Sequence, residues 1–136
     1  MSSPDLFFDS SALFAGIVSA SGASRALLLL AEAGHLAITV SEQVVVETER
    51  AIARKIPRAL PEVREAIRAT GLRIVRDPSL EEIEAHADMI AHRADVPILV
   101  AAMQVKTDYL VTLNRRHFMA DPDVARRSGL RIGTPG

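Results

Sequence analysis

Residues 6–11 of the chain, LFFDSS, place an aspartate directly after an apolar run. Leu6–Phe8 has the length and composition of a short buried strand, and Ser10 and Ser11 stand where a helix would begin. Asp9 should therefore lie at the carboxyl end of a buried strand. A carboxylate is costly to bury there unless a cation, a metal ion or several N–H groups pair with it. Two interpretations stay open for Asp9: a cap on the following helix, and a functional role.

Four further runs along the chain have the pattern of short strands. They are Leu36–Val40, Leu72–Val75, Tyr109–Leu113 and Leu130–Ile132. Strands that alternate with helices of about ten residues predict a parallel sheet with helices on both faces. We therefore predict a three-layer α/β/α domain with a central, mainly parallel sheet of about five strands. In such sheets, ligands bind at the carboxyl ends of the strands.

Helical patterns and capping residues fill the segments between these strands. Predicted helices cover residues 10–19, 24–33, 42–55 after an N-cap at Ser41, 61–70, 79–91, 96–106 and 122–128. Ser79 and Glu82 have the spacing of a capping box, and Gly34 and Gly71 stand where helices should end. For the four leucines of Leu27–Leu30 we favour burial in the core over a partner surface.

Length and composition indicate one globular domain spanning residues 1–136, with 49% apolar and 24% charged residues. The chain has no cysteine, which excludes disulfides, thiolate catalysis and cysteine zinc sites. Residues 1–11, MSSPDLFFDSS, do not resemble a signal peptide. The longest apolar run, Ala26–Ala31, is far shorter than the ~20 residues that span a bilayer. We expect a cytoplasmic protein without a membrane segment.

Charge is unevenly distributed although the formal net charge is only −1. Residues 50–76 contain eight basic and two acidic side chains, whereas residues 77–95 contain six acidic and one basic. A uniformly basic surface that coats nucleic acid is thereby excluded, but a local basic face is not. Solvated helix faces explain the same pattern, and both interpretations stay open.

Two more acidic residues are candidates for a site beside Asp9. Glu47 lies in the helix after the second strand and shares a face with Val44, which we expect to face the sheet. An exposed Glu47 that pairs with Arg50 or Arg54 is the alternative. Asp95 precedes a helix with Pro97 at its first position, so we place it just outside the cap at Val96. For Asp95, simple stabilisation of the helix N-terminus is the alternative.

Asn114 follows the strand Tyr109–Leu113 and should reach the same sheet edge as Asp9, unless it is only a turn residue. Carboxylates from separate elements that meet at one edge form an oxygen-rich site, which suits Mg²⁺ or Mn²⁺ rather than zinc. The four histidines lack a recognised ligand spacing, and we interpret them as structural or surface residues, with a weak exception for His117.

The ordered set of these segments resembles the PIN-domain nucleases, and most closely their VapC-like toxin ribonucleases. The segments are Phe8-Asp9-Ser10-Ser11, Ser41 to Glu47, Asp95-Val96-Pro97-Ile98-Leu99-Val100-Ala101-Ala102 and Asp108-Tyr109-Leu110-Val111-Thr112-Leu113-Asn114. The similarity spans nearly the whole chain. It implies that Asp9, Glu47 and Asp95 bind Mg²⁺ or Mn²⁺ and act in catalysis, with Ser11 and Thr112 in support.

The resemblance also implies a function, namely hydrolysis of RNA phosphodiester bonds by water that the metal activates. Arg115 and Arg116 would bind phosphates, as would some of Arg50, Arg54 and Lys55. An antitoxin protein and a homodimer would be the partners. Asn114 departs from the family pattern, because many members have a fourth aspartate there. Asp121 and Asp123 lie close by in sequence and are possible substitutes for it.

Three functions follow for comparison. The first is a metal-dependent endoribonuclease, the toxin of a toxin–antitoxin pair. The second is a catalytically weakened PIN-like module that binds RNA or a protein, suggested by Asn114. The third, a nucleotide-binding or signalling domain, lacks its expected motif, since neither GxGxxG nor GxxxxGK[ST] occurs in the chain.

Overall fold

The structure, a computed structural model, describes residues 3–19 and 21–136. Its five strands form one sheet in the order β3-β2-β1-β4-β5, and all four pairings are parallel. The strands are β1 (Asp5–Phe8), β2 (Ala37–Ser41), β3 (Arg73–Val75), β4 (Tyr109–Val111) and β5 (Ile132–Gly133). The predicted α/β architecture with a parallel five-stranded sheet is therefore confirmed.

Within the described residues, eight α-helices connect the strands. They are α1 (Ser10–Val18), α2 (Ala23–Glu32), α3 (Glu42–Lys55), α4 (Leu60–Thr70), α5 (Leu80–Ala85), α6 (Val96–Val105), α7 (Arg115–Phe118) and α8 (Asp123–Ser128), with 3₁₀ turns at Pro57–Ala59 and Arg93–Asp95. Helices α1 to α4 pack against one another, as do α6 and its neighbours α5 and α8. Right-handed crossovers place these two groups on opposite faces of the sheet, which gives three layers.

The sheet reverses its direction of growth at β1. Strands β2 and β3 extend to one side of β1, whereas β4 and β5 extend to the other. The register pairs Phe8 with Val111, so the chain leaves β1 and β4 side by side at the carboxyl edge. In parallel sheets this switch point opens a crevice between the connections, and it is the usual place for a ligand.

The apolar core surrounds the central strands. Phe7 and Phe8 of β1 are fully buried, and α6 has six buried residues in its ten. Leu28 is buried, but Leu29 and Leu30 are 50% and 42% exposed, so burial of the whole leucine run was wrong. Successive helix residues are about 100° apart, and four in a row cannot all face one core.

Most helix ends agree with the capping signals, but two segments do not. Ser41 caps α3, Ser79 and Glu82 form the predicted capping box, and Gly34 adopts a φ of 84° just past α2. The helix predicted for residues 79–91 ends at Ala85 instead, and the short helix α7 was not predicted. After Ala85 the chain turns toward the sheet edge and forms a loop. Residues 86–91 contain no helix-breaking Gly or Pro, so no local signal in the sequence marks this end of the helix.

No single helix of the described ranges is long and apolar enough to cross a membrane. Helices α1 and α2 together reach the required length and composition, but they are bent by 85° relative to each other.

Candidate functional site

Asp9 lies at the switch point, where it is only 3% exposed. Its Oδ1 accepts hydrogen bonds from the Ala12 amide at 2.9 Å and from the Ser11 hydroxyl at 2.7 Å, and its Oδ2 accepts one from the Thr112 hydroxyl. The bond from Ala12 caps α1. The capping interpretation of Asp9 is therefore correct, and it is compatible with a functional role because Thr112, at the end of a second strand, also binds the carboxylate.

Ser11 and Thr112 connect the ends of β1 and β4. The Ser11 hydroxyl donates to Asp9 and accepts from the Leu113 amide at 3.0 Å, while the Thr112 hydroxyl accepts from the Asn114 amide at 2.9 Å. Thr112 is fully buried. Each hydroxyl thus donates a hydrogen bond to Asp9 and accepts one from a backbone amide, which fixes its orientation. The carboxylate of Asp9 is held in one position.

Glu47 is partly buried on the first half of α3 and faces the start of α1. Its Oε1 accepts from the Ser10 hydroxyl at 2.9 Å, and its Oε2 accepts from Gln43 Nε2 at 3.0 Å. The same Gln43 amide donates to the carbonyl of Ala94 at 3.1 Å, next to Asp95. Glu47 is therefore joined to the other strand-end elements through Ser10 and Gln43, rather than paired with Arg50 or Arg54.

Asp95 is itself the N-cap residue of α6, so the cap lies one position earlier than predicted, where Val96 was the cap and Asp95 lay just outside it. Its side chain makes no capping hydrogen bond to α6. Instead, Asp95 Oδ2 lies 2.8 Å from His117 Nδ1 and 3.5 Å from His92 Nδ1. Among the described residues, the polar neighbours of this buried oxygen are these two imidazoles, which pair with it only when the facing nitrogen carries a proton. With that nitrogen unprotonated, Oδ2 is left without a donor, which is costly.

The acidic groups influence one another. Burial raises the pKa of Asp9, its three hydrogen bonds oppose that rise, and the charge of Asp95 adds to it. Burial also raises the pKa of Asp95, against the charges of His117 and His92, and Glu47 raises it further. Like charges act this way only when they lie close together. The carboxylates of Asp9, Glu47 and Asp95 therefore lie in one neighbourhood, although among the described residues the three ligand atoms within 4.8 Å of one another are those of His92, Asp95 and His117.

In the described part of the chain, no lysine or arginine forms an ion pair with any of these carboxylates. The basic side chains in contact with the cluster are those of His92 and His117, which lie against Asp95 and offset its charge only when they are protonated. An acidic cluster that is only partly compensated favours the entry of a cation. The donors are carboxylate oxygens, which suit a hard divalent ion. The residues present thus fit the divalent metal that the sequence analysis predicted.

Asn114 lies at the same edge but is used differently. Its Oδ1 accepts from the His117 amide at 3.2 Å and caps α7, and its Nδ2 lies 2.8 Å from His117 Nδ1. Its φ of −88° is outside the left-handed region that asparagine often adopts in turns. The side chain lies near the acidic cluster but is occupied with His117, so its place among the metal ligands stays a prediction.

Several positions of the site could not be found in the sequence, and the two aspartates considered as substitutes for a fourth acid pair with arginines. Ser10 and Gln43 orient Glu47, and only the i,i+4 spacing of Gln43 and Glu47 hinted at the second contact. His92, interpreted as structural or surface, stacks on His117 with ring centres 4.0 Å apart, beside Asp95. The possible substitutes for a fourth aspartate are instead paired on α8: Asp121 with Arg127, and Asp123 with Arg126 and Arg127.

Arg115 and Arg116 follow Asn114 directly, and both side chains are exposed. Arg115 lines a cleft of about 320 Å³ together with Leu113, Ser19 and Ser21, at the carboxyl edge of the sheet. Arg54 lies seven residues beyond Glu47 on α3, about 10 Å further from the site along the helix axis. Arg115 and Arg116 are thus closer to the site than Arg54 is.

Comparison with known proteins agrees with this geometry. The structure of VapBC2 from Rickettsia felis, bound to a DNA fragment from their promoter, is similar with a TM-score of 0.66 at 16% identity, over 96% of this chain and 98% of that chain. PAE2754 from Pyrobaculum aerophilum is similar with a TM-score of 0.64 at 15% identity, over 95% of this chain and 83% of that one. A search of curated protein sequences gives no significant match.

Likeness at such low identity shows a common fold. The family is shown by the sequence itself, because the profile of the PIN domain matches residues 5–116. That match includes all three acidic residues that meet at the switch point, together with Thr112 and Asn114. The chain therefore belongs to the PIN-domain family of nucleases.

Proposed function

We propose that the protein is a metal-dependent endoribonuclease that hydrolyses RNA phosphodiester bonds as the toxin of a type II toxin–antitoxin pair. The observation that supports this most directly is the gathering of Asp9, Glu47 and Asp95 at the sheet's switch point, where the described residues supply no lysine or arginine partner and the basic side chains beside Asp95 are those of His92 and His117. Structural ion-pair networks also gather acids, but they include lysine or arginine side chains, which this cluster lacks among the described residues.

The three carboxylates would hold Mg²⁺ or Mn²⁺, with Asp9 and Asp95 as the principal ligands and Glu47 as a ligand or as a base that orients water. Such an ion lowers the pKa of a water molecule and neutralises the charge that develops on the phosphate. Asp9 needs no reorientation for this, because Ser11, Thr112 and the start of α1 already fix its carboxylate. Preorganised groups of this kind lose little entropy on binding.

Recognition of RNA would depend on charge. Arg115 and Arg116 are exposed beside the acidic cluster and would bind the backbone phosphates on either side of the cleaved bond. The chain has one tyrosine and four phenylalanines, and Phe7, Phe8 and Phe118 are buried, so a platform of several stacked aromatic rings is not available. Binding through phosphates weakens as salt rises.

The proposed partners follow from the same comparison. VapBC2 from Rickettsia felis has a fold like that of this chain, and its crystal structure contains a DNA fragment from the promoter. By analogy, we propose an antitoxin protein as partner here, a homodimer as the assembly, and the cytoplasm, where RNA is the target, as the place of action.

A catalytically weakened PIN module is a second candidate, and Asn114 is the observation that favours it. A carboxylate at this position would add a charged ligand, whereas the Asn114 amide carries no charge and binds His117. The variant Asn114→Asp separates the two functions. If it converts an inactive protein into an active nuclease, the natural chain is a binding module; if the natural chain already cleaves, the first candidate stands.

The direct test is incubation of the purified protein with a mixed RNA pool in Mn²⁺, Mg²⁺ or EDTA, beside Asp9→Asn. We expect cleavage that needs the metal and falls at least about 100-fold in the variant, since even residues behind metal ligands contribute 10–100-fold. Asp88→Asn is the matched control, because Asp88 is exposed. Equal cleavage by Asp9→Asn, or full activity in EDTA, would refute the proposed site.

A further inference from the structure

We propose that His92, Asp95 and His117 form a second, nitrogen-containing cation site that takes an ion of the zinc class. One ligand atom from each of these side chains lies within 4.8 Å of the others. The three residues come from different segments: His92 precedes the 3₁₀ turn, Asp95 caps α6, and His117 is on α7. This site is distinct in its donors from the oxygen-rich cluster, with which it shares only Asp95.

The distances are close to those that a tetrahedral ion requires. Zinc bonds of about 2.0–2.1 Å place neighbouring ligand atoms about 3.3 Å apart. Asp95 Oδ2 is 2.8 Å from His117 Nδ1 and 3.5 Å from His92 Nδ1, so both separations lie near that value. The rings of His92 and His117 stack at 4.0 Å and 20°, so their in-plane lone pairs meet at one ion only after one ring turns. His92 is 50% exposed and is free to turn, whereas Asp95 and His117 are 14% and 28% exposed and are held by the fold.

The atoms around His117 Nδ1 are in conflict when no cation is bound. Asn114 Nδ2, a donor, lies 2.8 Å from Nδ1, and Asp95 Oδ2, an acceptor, lies at the same distance. A protonated Nδ1 opposes the amide, and an unprotonated Nδ1 opposes the carboxylate. An ion that binds the Nδ1 lone pair and Asp95 Oδ2 removes the second conflict, and it replaces the hydrogen bond between Asn114 Nδ2 and Nδ1.

The surroundings give such an ion access and a free coordination position. A cleft of about 520 Å³ opens beside the two histidines and is lined also by Ala91, Arg116 and Ala120. Imidazole nitrogens select zinc and similar transition-metal ions over Mg²⁺, which prefers oxygen ligands. Three protein ligands and an open fourth position are the usual donor set of an accessible zinc site.

Because Asp95 would serve both sites, an ion at the histidines would withdraw it from the oxygen-rich cluster. This consequence rests on the proposed function: Zn²⁺ should then compete with Mn²⁺ and inhibit RNA cleavage. Binding of Zn²⁺ itself does not depend on that function, and the two parts can therefore fail separately.

The experiment is calorimetric titration of the purified protein with Zn²⁺, beside His92→Gln and the control His35→Gln, whose histidine is exposed and remote in sequence. We expect one site in the natural protein and in His35→Gln, and binding at least about tenfold weaker in His92→Gln. Co²⁺ should give the visible absorption of tetrahedral coordination, and Zn²⁺ should abolish it. Equal affinity in all three proteins, or no saturable binding, would overturn the site.

The competition is measured next, as the Zn²⁺ concentration that halves Mn²⁺-dependent RNA cleavage. That concentration should rise at least about tenfold in His92→Gln. An unchanged value would overturn the sharing of Asp95. If no RNA is cleaved under any condition, the proposed function fails, and the Zn²⁺ titration alone decides the histidine site.

Discussion

Asp5 begins strand β1 and Asp9 directly follows its end, and the two carboxylates differ in how their charge is compensated. Each accepts a hydrogen bond from a fully buried threonine, Asp5 from Thr39 at 2.9 Å and Asp9 from Thr112. Asp5 also lies 3.9 Å from the guanidinium of Arg73, and its side chain is 27% exposed. Asp9 is buried, and its charged neighbours include the like-charged Asp95.

At the amino edge of the sheet, the charge of Asp5 is compensated by Arg73 and by exposure to solvent. The carboxyl edge holds its acid with hydroxyl and amide donors only, which fix the carboxylate but do not cancel its charge. A site that keeps its negative charge uncompensated in the folded chain can accept a cation. The contrast between these two aspartates is the physical basis for the proposed metal site.

The largest expected effect comes from removing the carboxylate charge of Asp9, with the same change at Asp5 as the comparison. Asp9→Asn should lower metal-dependent RNA cleavage at least about 100-fold, whereas Asp5→Asn should leave it within about twofold and cost up to about 1 kcal/mol of stability. Initial cleavage rates and the free energy of unfolding measure the two effects. A comparable loss of activity in Asp5→Asn would remove the distinction between the edges.

The two threonines allow the same comparison without changing charge. Thr112→Val removes the hydroxyl that orients Asp9 and should reduce cleavage about 10–100-fold, as residues behind metal ligands do. Thr39→Val should lower stability by about 1 kcal/mol and leave the cleavage rate unchanged. Retention of full activity in a folded Thr112→Val protein would show that Asp9 does not depend on this bond.

Much of the carboxyl edge could be predicted because its signals are local. Asp9 follows an apolar run, and Glu47 is three residues from the buried Val44, so strand and helix periodicity suffices to place both. His92 could not be placed in this way. It approaches His117 across 25 residues of sequence, from a 3₁₀ turn after a helix that ends six residues earlier than expected. Neither periodicity nor motif spacing records such a contact.

The contacts of a side chain at the start of a helix also could not be predicted from the sequence. A cap position does not say whether the side chain bonds to its own helix: Ser41 and Asp9 do, but Asp95 does not. The backbone of the preceding turn decides this, and it depends on packing between distant elements. The same reason explains why Asn114 was predicted at the correct edge without its contact to His117.

A smaller effect is expected from the two arginines beside the site. Arg115→Gln together with Arg116→Gln should weaken RNA binding about tenfold at low salt and lower the slope of log affinity against log salt by about 1.4, or about 0.7 per lost phosphate contact. Arg126→Gln with Arg131→Gln is the control, because Arg126 pairs with Asp123 and Arg131 lies over Tyr109. An equal change of slope in both double variants would argue against a specific RNA path.

The smallest expected effect is on stability as a function of pH without metal. Burial raises the folded-state pKa of Asp9, so its contribution to stability is fully present below the unfolded pKa of about 3.9 and is lost as pH rises through the folded pKa. The natural protein should therefore lose stability relative to Asp9→Asn between about pH 4 and neutrality. Thermal unfolding at several pH values in EDTA measures this difference. A difference that is constant with pH would mean that Asp9 titrates normally.

Binding of Mn²⁺ to the natural protein, Asp9→Asn and Asp5→Asn tests the central claim most directly, since it needs no knowledge of the RNA target. The account predicts a saturable site in the natural protein and in Asp5→Asn, and loss of that site in a folded Asp9→Asn protein. Equal Mn²⁺ binding by all three proteins, or loss in Asp5→Asn alone, would contradict a metal site at the carboxyl edge of the sheet.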